Sequence, residues 1–324
     1  MASEQYKAEH SDAGSRVWNC GVGRCGDSAM LPGMPQGIST KQVMNPRIAI
    51  VGAGSLAGAL SLALGKAGYP IDEIVSLSRA ASLRHARRLA AEVGAAAVTA
   101  ARARIRAEVV WFCVPDGAIA SAAESLKEAA DWSGKMALHS SGALTSDELA
   151  GLRRRGAVVA SVHPLMTFVP GSRPALAGVP FALEGDRKAV QSARLIVLDL
   201  RGQPFSIRKR DKQAYHAWGM FTSPLLIALL AASERVAAAA GMRPDAARER
   251  MLPILRQTLT NYAALGGAES FSGPIARGDV ETVEKHLRVL RAIPEAREIY
   301  VALARSALRD LPAKNRAALE KILK

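Results

Sequence analysis

Aromatic side chains make up only 5% of the 324 residues, and cysteine occurs three times, as Cys20, Cys25 and Cys113. Three such scattered thiols form neither a zinc set nor a disulfide framework. Cys113 sits in an apolar run and reads as a buried thiol, so the expected compartment is a reducing cytoplasm. The first residues lack a basic segment followed by an apolar core, which excludes a secretory signal of the usual kind. No internal repeat is visible. Acidic residues are outnumbered by basic ones, 29 to 43, for a net charge of +14. The surplus includes Arg153-Arg154-Arg155 and Arg208-Lys209-Arg210. No interleaved aromatics or recognition motif accompany these clusters, so they read as solvated surface rather than as a nucleic-acid site. Gln213 to Ser233 lacks Asp, Glu, Lys and Arg altogether. It contains Gln213, His216, Thr222, Ser223 and Pro224, and no second such stretch exists. A helix buried between domains or subunits is the expected state, not a membrane span.

Residues 1–45 mix Gly, Ser, Asp, Pro and Met without periodicity and predict a disordered tail. Order begins with Arg47-Ile-Ala-Ile-Val-Gly-Ala-Gly-Ser-Leu-Ala-Gly58. Ile48, Ile50 and Val51 suit a buried parallel strand. Gly52, Ala53 and Gly54 form a tight turn. Ser55, Leu56 and Ala57 then open a helix that ends before Gly68 and Pro70. A glycine turn between a strand and a helix holds a pyrophosphate on the helix N-terminus. The expected second strand, Glu73 to Arg79, ends without the acid that would bind an NAD ribose. Ser78 and Arg79 stand there instead, which suits the 2′-phosphate of NADP(H).

Strands and helices alternate onward. Helices are expected at 80–93, 117–131, 145–155 and near 187–199. Strands are expected near Ala95–Thr99 and over Glu108–Val114, Lys135–His139, Ala157–Val162, Val179–Leu183 and Gln203–Ile207. This predicts an α/β fold with a doubly wound, mostly parallel sheet, the Rossmann type, over residues 46–210. From 211 to 324 the pattern becomes all-helical, with helices at 211–241, 244–265, 279–292, 294–310 and 313–323.

In such sheets ligands lie beyond the carboxyl ends of the strands. Val114-Pro115-Asp116, His139-Ser140-Ser141-Gly142 and His163-Pro164-Leu165 stand at three of those ends. Asp116 reads first as a helix cap. Ser140 and Ser141 either bind a substrate or form a polar turn. His139 reads as a hydrogen-bonded structural residue. His163 is the better proton-exchanging candidate. In the helical half the candidates are His216, Asn261 and Arg277, with Asp279 placed to cap the helix carrying His286. No Lys stands at an obvious catalytic position, since Lys209 and Lys212 lie at the start of the long helix.

These residues resemble a known family. Gly52-Ala53-Gly54, Val114-Pro115-Asp116, His139-Ser140-Ser141-Gly142, His163-Pro164-Leu165, Tyr215-His216-Ala217 and Gly273-Pro274-Ile275-Ala276-Arg277-Gly278-Asp279 look like the Rossmann-like/DUF2520 proteins. Those proteins are relatives of pyrroline-5-carboxylate reductase, ketopantoate reductase and 6-phosphogluconate dehydrogenase. The resemblance covers about residues 46–310. It implies an NADP-binding domain, a helical domain and a homodimer formed through that domain. The chain departs from the family at Pro224, which stands where members commonly carry Asn after the serine. Pro224 should kink the helix. The resulting expectation is an NADPH-dependent oxidoreductase. It would transfer hydride to the C=O or C=N of a small, anionic substrate. Val114, Pro115 and Ser140 would lie beside the cofactor, with Ser141, His163, His216, Asn261 and Arg277 on the substrate side. The alternative is a non-catalytic NADP-binding regulatory dimer.

Overall fold

In the computed structural model, residues 45–77 and 80–324 are described. The predicted tail up to residue 44 lies outside them, and so do Ser78 and Arg79. Strand β1 (Ile48–Val51) is fully buried. Its Ile48, Ile50 and Val51 side chains each contribute roughly 1.5–3 kcal/mol on leaving water. Helix α1 (Ser55–Lys66) follows, then β2 (Ile71–Ser76), α2 (Ala80–Val93), β3 (Ala96–Thr99) and β4 (Val109–Phe112). Next come α3 (Ile119–Ser125), β5 (Met136–His139), α4 (Ala150–Arg153), β6 (Val158–Pro164), β7 (Pro180–Gly185), α5 (Arg187–Asp199) and β8 (Gln203–Ser206).

The eight strands form one sheet in the order β3-β2-β1-β4-β5-β6-β7-β8. All pairings are parallel except β6 with β7. Alternate side chains of each strand face opposite sides. Ile50 and Trp111 therefore pack with Leu60 and Leu64 of α1 and Ile196 of α5. Val51 and Phe112 pack with Ile119 of α3 and Leu152 of α4 on the other side. Helices on both faces of a mostly parallel sheet are the doubly wound arrangement that the alternation predicts. The order reverses at β1, which lies between β2 and β4. The crevice beyond their carboxyl ends is where such sheets bind ligands.

The helical half comprises α6 (Lys212–Thr222), α7 (Pro224–Ala239), α8 (Pro244–Ser270), α9 (Pro274–Arg277), α10 (Val280–Val289), α11 (Pro294–Asp310) and α12 (Arg316–Ile322). The expected single helix over 211–241 is two helices. Pro224 opens the second, and Ser223 leaves helical geometry at φ −134° and ψ −76°. A proline with no N–H is tolerated at a first helical position, not inside. Gly266, at φ +77°, likewise bends α8 where its helix was expected to stop. The helix expected over 145–155 is a 3₁₀ turn running into the short α4, with Thr145 accepting from Asp147 N–H. The helix expected over 117–131 shortens to α3. A separate core of Val283, Leu287, Val301, Leu308 and Leu319 holds the last helices together. Among the described residues one helical stretch, Lys209–Ala239, is long and apolar enough by composition to cross a membrane. It is broken at Ser223, so no continuous helix of that length exists.

Candidate active site

The glycine turn is shaped by two different demands. Gly52 has φ +109°, and a Cβ there would fall 2.4 Å from the Cys113 carbonyl oxygen. The close approach seats the turn against the end of β4, and Gly52 N–H donates to Val75 O of β2. Gly54 has ordinary extended backbone at φ −81°, yet a Cβ there would meet nothing within 4 Å. The space over Gly54 is a cradle that a side chain would fill. Helix α1 has no side-chain cap and no acid in its first turn. The first intrahelical bond runs from Gly58 N–H to Gly54 O. The N–H groups of Ser55, Leu56 and Ala57 therefore have no partner within the helix. Ala57 is fully buried, which seats the helix on the sheet. A cavity of about 700 Å³ opens over this turn, with Val114 and Pro115 on its far wall. Amides without helical partners at a helix N-terminus beside open space fit the phosphates of a dinucleotide.

The turn after β5 is held from several sides. His139 is buried. Its Nδ1 accepts from Ser141 N–H at 3.1 Å, and its Nε2 lies 2.9 Å from Thr145 O. A bare Nδ1 requires the proton on Nε2, so the ring is neutral and structural. Burial pushes its pKa down to about 4. Trp111 Nε1–H donates to Ser140 Oγ at 2.9 Å. Ser141 Oγ donates to Asp116 Oδ2 at 2.7 Å and accepts from Leu144 N–H at 2.8 Å. The Ser141 hydroxyl is thus committed to the turn, and Asp116 is oriented by it. The expected cap role of Asp116 is not observed, because the short turn it opens has no side-chain cap.

Two helical residues reach this edge. Tyr215 on α6 places its hydroxyl 2.8 Å from His163 Nδ1, and the rings meet edge to face. A Cβ on Gly142 would lie 2.8 Å from His163 Nε2 and 2.9 Å from His216 Cδ2. His163 and His216 therefore converge over Gly142, in space that only glycine leaves open. Burial, then the charges of Lys212 and His216, push the His163 pKa down to about 4. Burial holds the Tyr215 phenol up at about 12.

Lys212, on the same helix, is fully buried. Its ammonium donates to Ser161 Oγ at 2.7 Å and to Ser141 O at 3.0 Å. Among the described residues no carboxylate forms an ion pair with it. Burial lowers its pKa to about 8, against the opposing pull of Glu184 and Asp116. Lys212, Tyr215 and Asp116 are the site residues that sequence reasoning passed over as active groups. The available signal was helical spacing: Lys212, Tyr215 and His216 share one face at i, i+3 and i+4.

Asn261 and Arg277 are placed elsewhere in the helical half. The Asn261 side-chain carbonyl accepts from Gln257 at 2.6 Å, and Arg277 is exposed at the end of α9. No hydrogen bond or ion pair between described residues joins either to the His163 cluster. Asp279 caps α10 through Thr282 N–H, as its position predicts.

Comparisons with known proteins agree with this architecture. A Rossmann-like domain model matches residues 34–164. The model of a domain of unknown function, DUF2520, matches residues 179–307. No curated protein matches the chain. Among solved structures, a proposed NADP oxidoreductase of Bacteroides fragilis is 22% identical, with TM-score 0.69 over 82% of this chain and 98% of that one. The Thermotoga maritima protein TM1727 is 25% identical, with TM-score 0.64 over 86% of this chain and 100% of that one. An imine reductase of Myxococcus stipitatus, solved with NADP+, is 17% identical, with TM-score 0.57 over 86% and 100%. The fold is that of these three structures.

Proposed function

For a chain that carries a Rossmann-like domain followed by a DUF2520 domain, we propose an NADPH-dependent oxidoreductase. It would reduce the C=O or C=N of a small anionic substrate. One observation carries the reading: the glycine cradle after β1 and the His163–Tyr215 pair at the end of β6 lie along the same carboxyl-end edge of one sheet, with β4 and β5 between them. The fold's occurrence in an imine reductase bound to NADP+ supports it.

Gly52, Ala53 and Gly54 shape the turn, and the first N–H groups of α1 hold the cofactor's phosphates. Val114 and Pro115 wall the cleft, and Ser78 with Arg79 read the 2′-phosphate. The bound cofactor supplies the hydride from C4 of its nicotinamide. The rest falls to side chains. His163 is neutral at pH 7. With Tyr215 donating to Nδ1, its Nε2–H is free to hydrogen-bond the substrate oxygen or nitrogen. As that proton moves to the substrate, Nδ1 would take the Tyr215 hydroxyl proton, so the ring stays neutral and the charge passes to the phenolate oxygen. His216 closes the far side. Ser140 and the Gly142 N–H line the turn, whereas Ser141 positions Asp116. Lys212 acts as a positioning residue from beneath. Its ammonium fixes the Ser141 carbonyl and places a positive charge under the turn, which favours an anion above it. Asn261 and Arg277 have no part in this reading.

Two copies of the chain would associate through the helical half. Phe221 is 72% exposed and Ile227 63% on α6 and α7, and Ile254 is 68% exposed on α8. Exposed large apolar side chains on three consecutive helices support an interface there.

The test is calorimetric titration of NADPH and NADH into the protein and its Arg79→Ala variant, followed by NADPH oxidation assays with keto acids and imines. Tight NADPH binding that falls to the NADH level in the variant, with turnover, supports the reading. Binding of neither dinucleotide overturns it.

A further inference from the structure

We propose that residues 165–179, between β6 and β7, form a strap over the cofactor's diphosphate. Arg173 would be a phosphate-binding residue that exchanges Glu92 for that diphosphate. The proposal rests on the reading of the cleft as a dinucleotide site.

The strap is anchored at both ends by backbone hydrogen bonds and is exposed at its crest. Leu165 N–H donates to Pro180 O, and Gly178 N–H donates to Arg201 O. Leu176 and Val179 are buried at the returning end, whereas Val169 at the crest is 57% exposed. Ser172 folds the crest by donating to Val169 O from both its N–H and its hydroxyl. Residues 170–173 and Phe168 form one wall of the same cavity that Gly54, Ser55 and Leu56 line from the other side.

Two contacts close the strap onto α1. Ser55 Oγ donates to Val169 O at 2.9 Å. Ser55 is the first helical residue, so its hydroxyl belongs to the group of donors that faces a bound phosphate. Arg173 crosses the first turn of α1. A Cβ on Gly58 would lie 3.1 Å from its Nε, so the absent side chain is what lets the guanidinium pass. Beyond Gly58 it makes a two-pronged pair with Glu92 of α2. That pair is about one-third exposed on each side. Arg88, one turn earlier on α2, lines the cavity too and adds to the positive field around Glu92.

The charges decide the direction of exchange. An ion pair this exposed contributes little. A diphosphate offers more charge and more acceptors to a guanidinium, in the field of a helix N-terminus. With a diphosphate over Gly54, Arg173 turns from Glu92 to phosphate oxygens, and the Ser55 hydroxyl turns from Val169 O to the same group. Glu92 holds the arginine across the cleft until the cofactor arrives.

The experiment is titration of NADPH and NADH into wild type, Arg173→Ala, Arg173→Lys and Glu92→Gln. Backbone amide exchange over 165–178 is followed with and without NADPH. Arg173→Ala should weaken both dinucleotides alike, by about tenfold or more, and Arg173→Lys should recover part of that. Glu92→Gln should bind as tightly as wild type or tighter, because the competing carboxylate is gone. NADPH should slow exchange across the strap in wild type and not in Arg173→Ala. Arg173→Ala binding within twofold of wild type overturns the proposal. So does a loss confined to NADPH, which would assign Arg173 to the 2′-phosphate. So does equal weakening by Glu92→Gln, which would make the pair merely structural. If wild type binds neither dinucleotide, the cofactor reading itself has failed, an outcome distinct from the other three.

Discussion

The Tyr215 hydroxyl lies 2.8 Å from His163 Nδ1 and ties the first helix of the helical half to the end of the sixth strand. Replacing Tyr215 by Phe removes that hydrogen bond and little volume. Stability should fall by about 1 kcal/mol. Turnover should fall roughly tenfold to a hundredfold, with NADPH affinity kept. Because both residues act through one ring, His163→Ala and Tyr215→Phe should be non-additive. Steady-state kinetics on the four members of the double-mutant cycle measure this. Additive losses would separate the two residues.

Gly52 and Gly54 should respond oppositely to one added methyl group. Gly52→Ala drives a Cβ into the Cys113 carbonyl at a φ that L-residues avoid. A cost of about 1–3 kcal/mol or more follows. Gly54→Ala has allowed backbone and meets no protein atom. It should melt at nearly the wild-type temperature while losing dinucleotide affinity. Thermal denaturation paired with calorimetry separates the two cases. A Gly54→Ala protein that still binds NADPH normally would remove the phosphate from that cradle.

Lys212 makes stability depend on alkaline pH. Its folded pKa of about 8 lies below the ordinary 10.5. Between those values the unfolded chain holds a proton that the folded chain has released, so stability rises as pH climbs from about 8 to 10.5. Below that window the fold carries the full cost of the buried ammonium, on the order of 3 kcal/mol. Denaturant titrations of wild type and Lys212→Met across pH 7 to 10.5 should show this rise only in wild type. Parallel curves would mean that the ammonium is not buried as described.

His139 gives the acid counterpart. Its folded pKa is about 4 against the ordinary 6.5. As pH falls through this interval the unfolded chain takes up a proton that the fold refuses. Stability is full above about 6.5 and declines towards 4, by on the order of 3 kcal/mol. His163 adds to the decline in the same direction. His139→Asn should be weaker at pH 7 but flatter between pH 7 and 4.5 in urea titrations.

Ile227→Glu places a charge on the exposed apolar face of α7. If that face joins two copies, light scattering after size exclusion should give a two-chain mass for wild type and a one-chain mass for the variant. Equal masses would move the interface elsewhere.

The sequence by itself determined what local chemistry determines. The strand, glycine turn and helix of residues 48–66 were legible because each step is set by neighbours in the chain. The Asp279 cap was legible for the same reason, since a side-chain oxygen acts within one helical turn, whereas at Pro224 the expected kink in one helix is a break into two. Alternation of strands and helices carried the sheet, and the right-handed crossover rule carried its winding.

Only the tertiary structure decided which groups meet. Asp116 reads as a cap in the sequence, yet its carboxylate takes the Ser141 hydroxyl from 25 residues away. Lys212 reads only as a residue at a helix start, yet the fold buries it under a turn 71 residues earlier. Arg173 crosses 81 residues to Glu92. Local propensity is blind to such pairs, because a lysine or an arginine has the same intrinsic preferences in water and in a core. Its burial and its pKa come from packing, which exists only once distant segments have met.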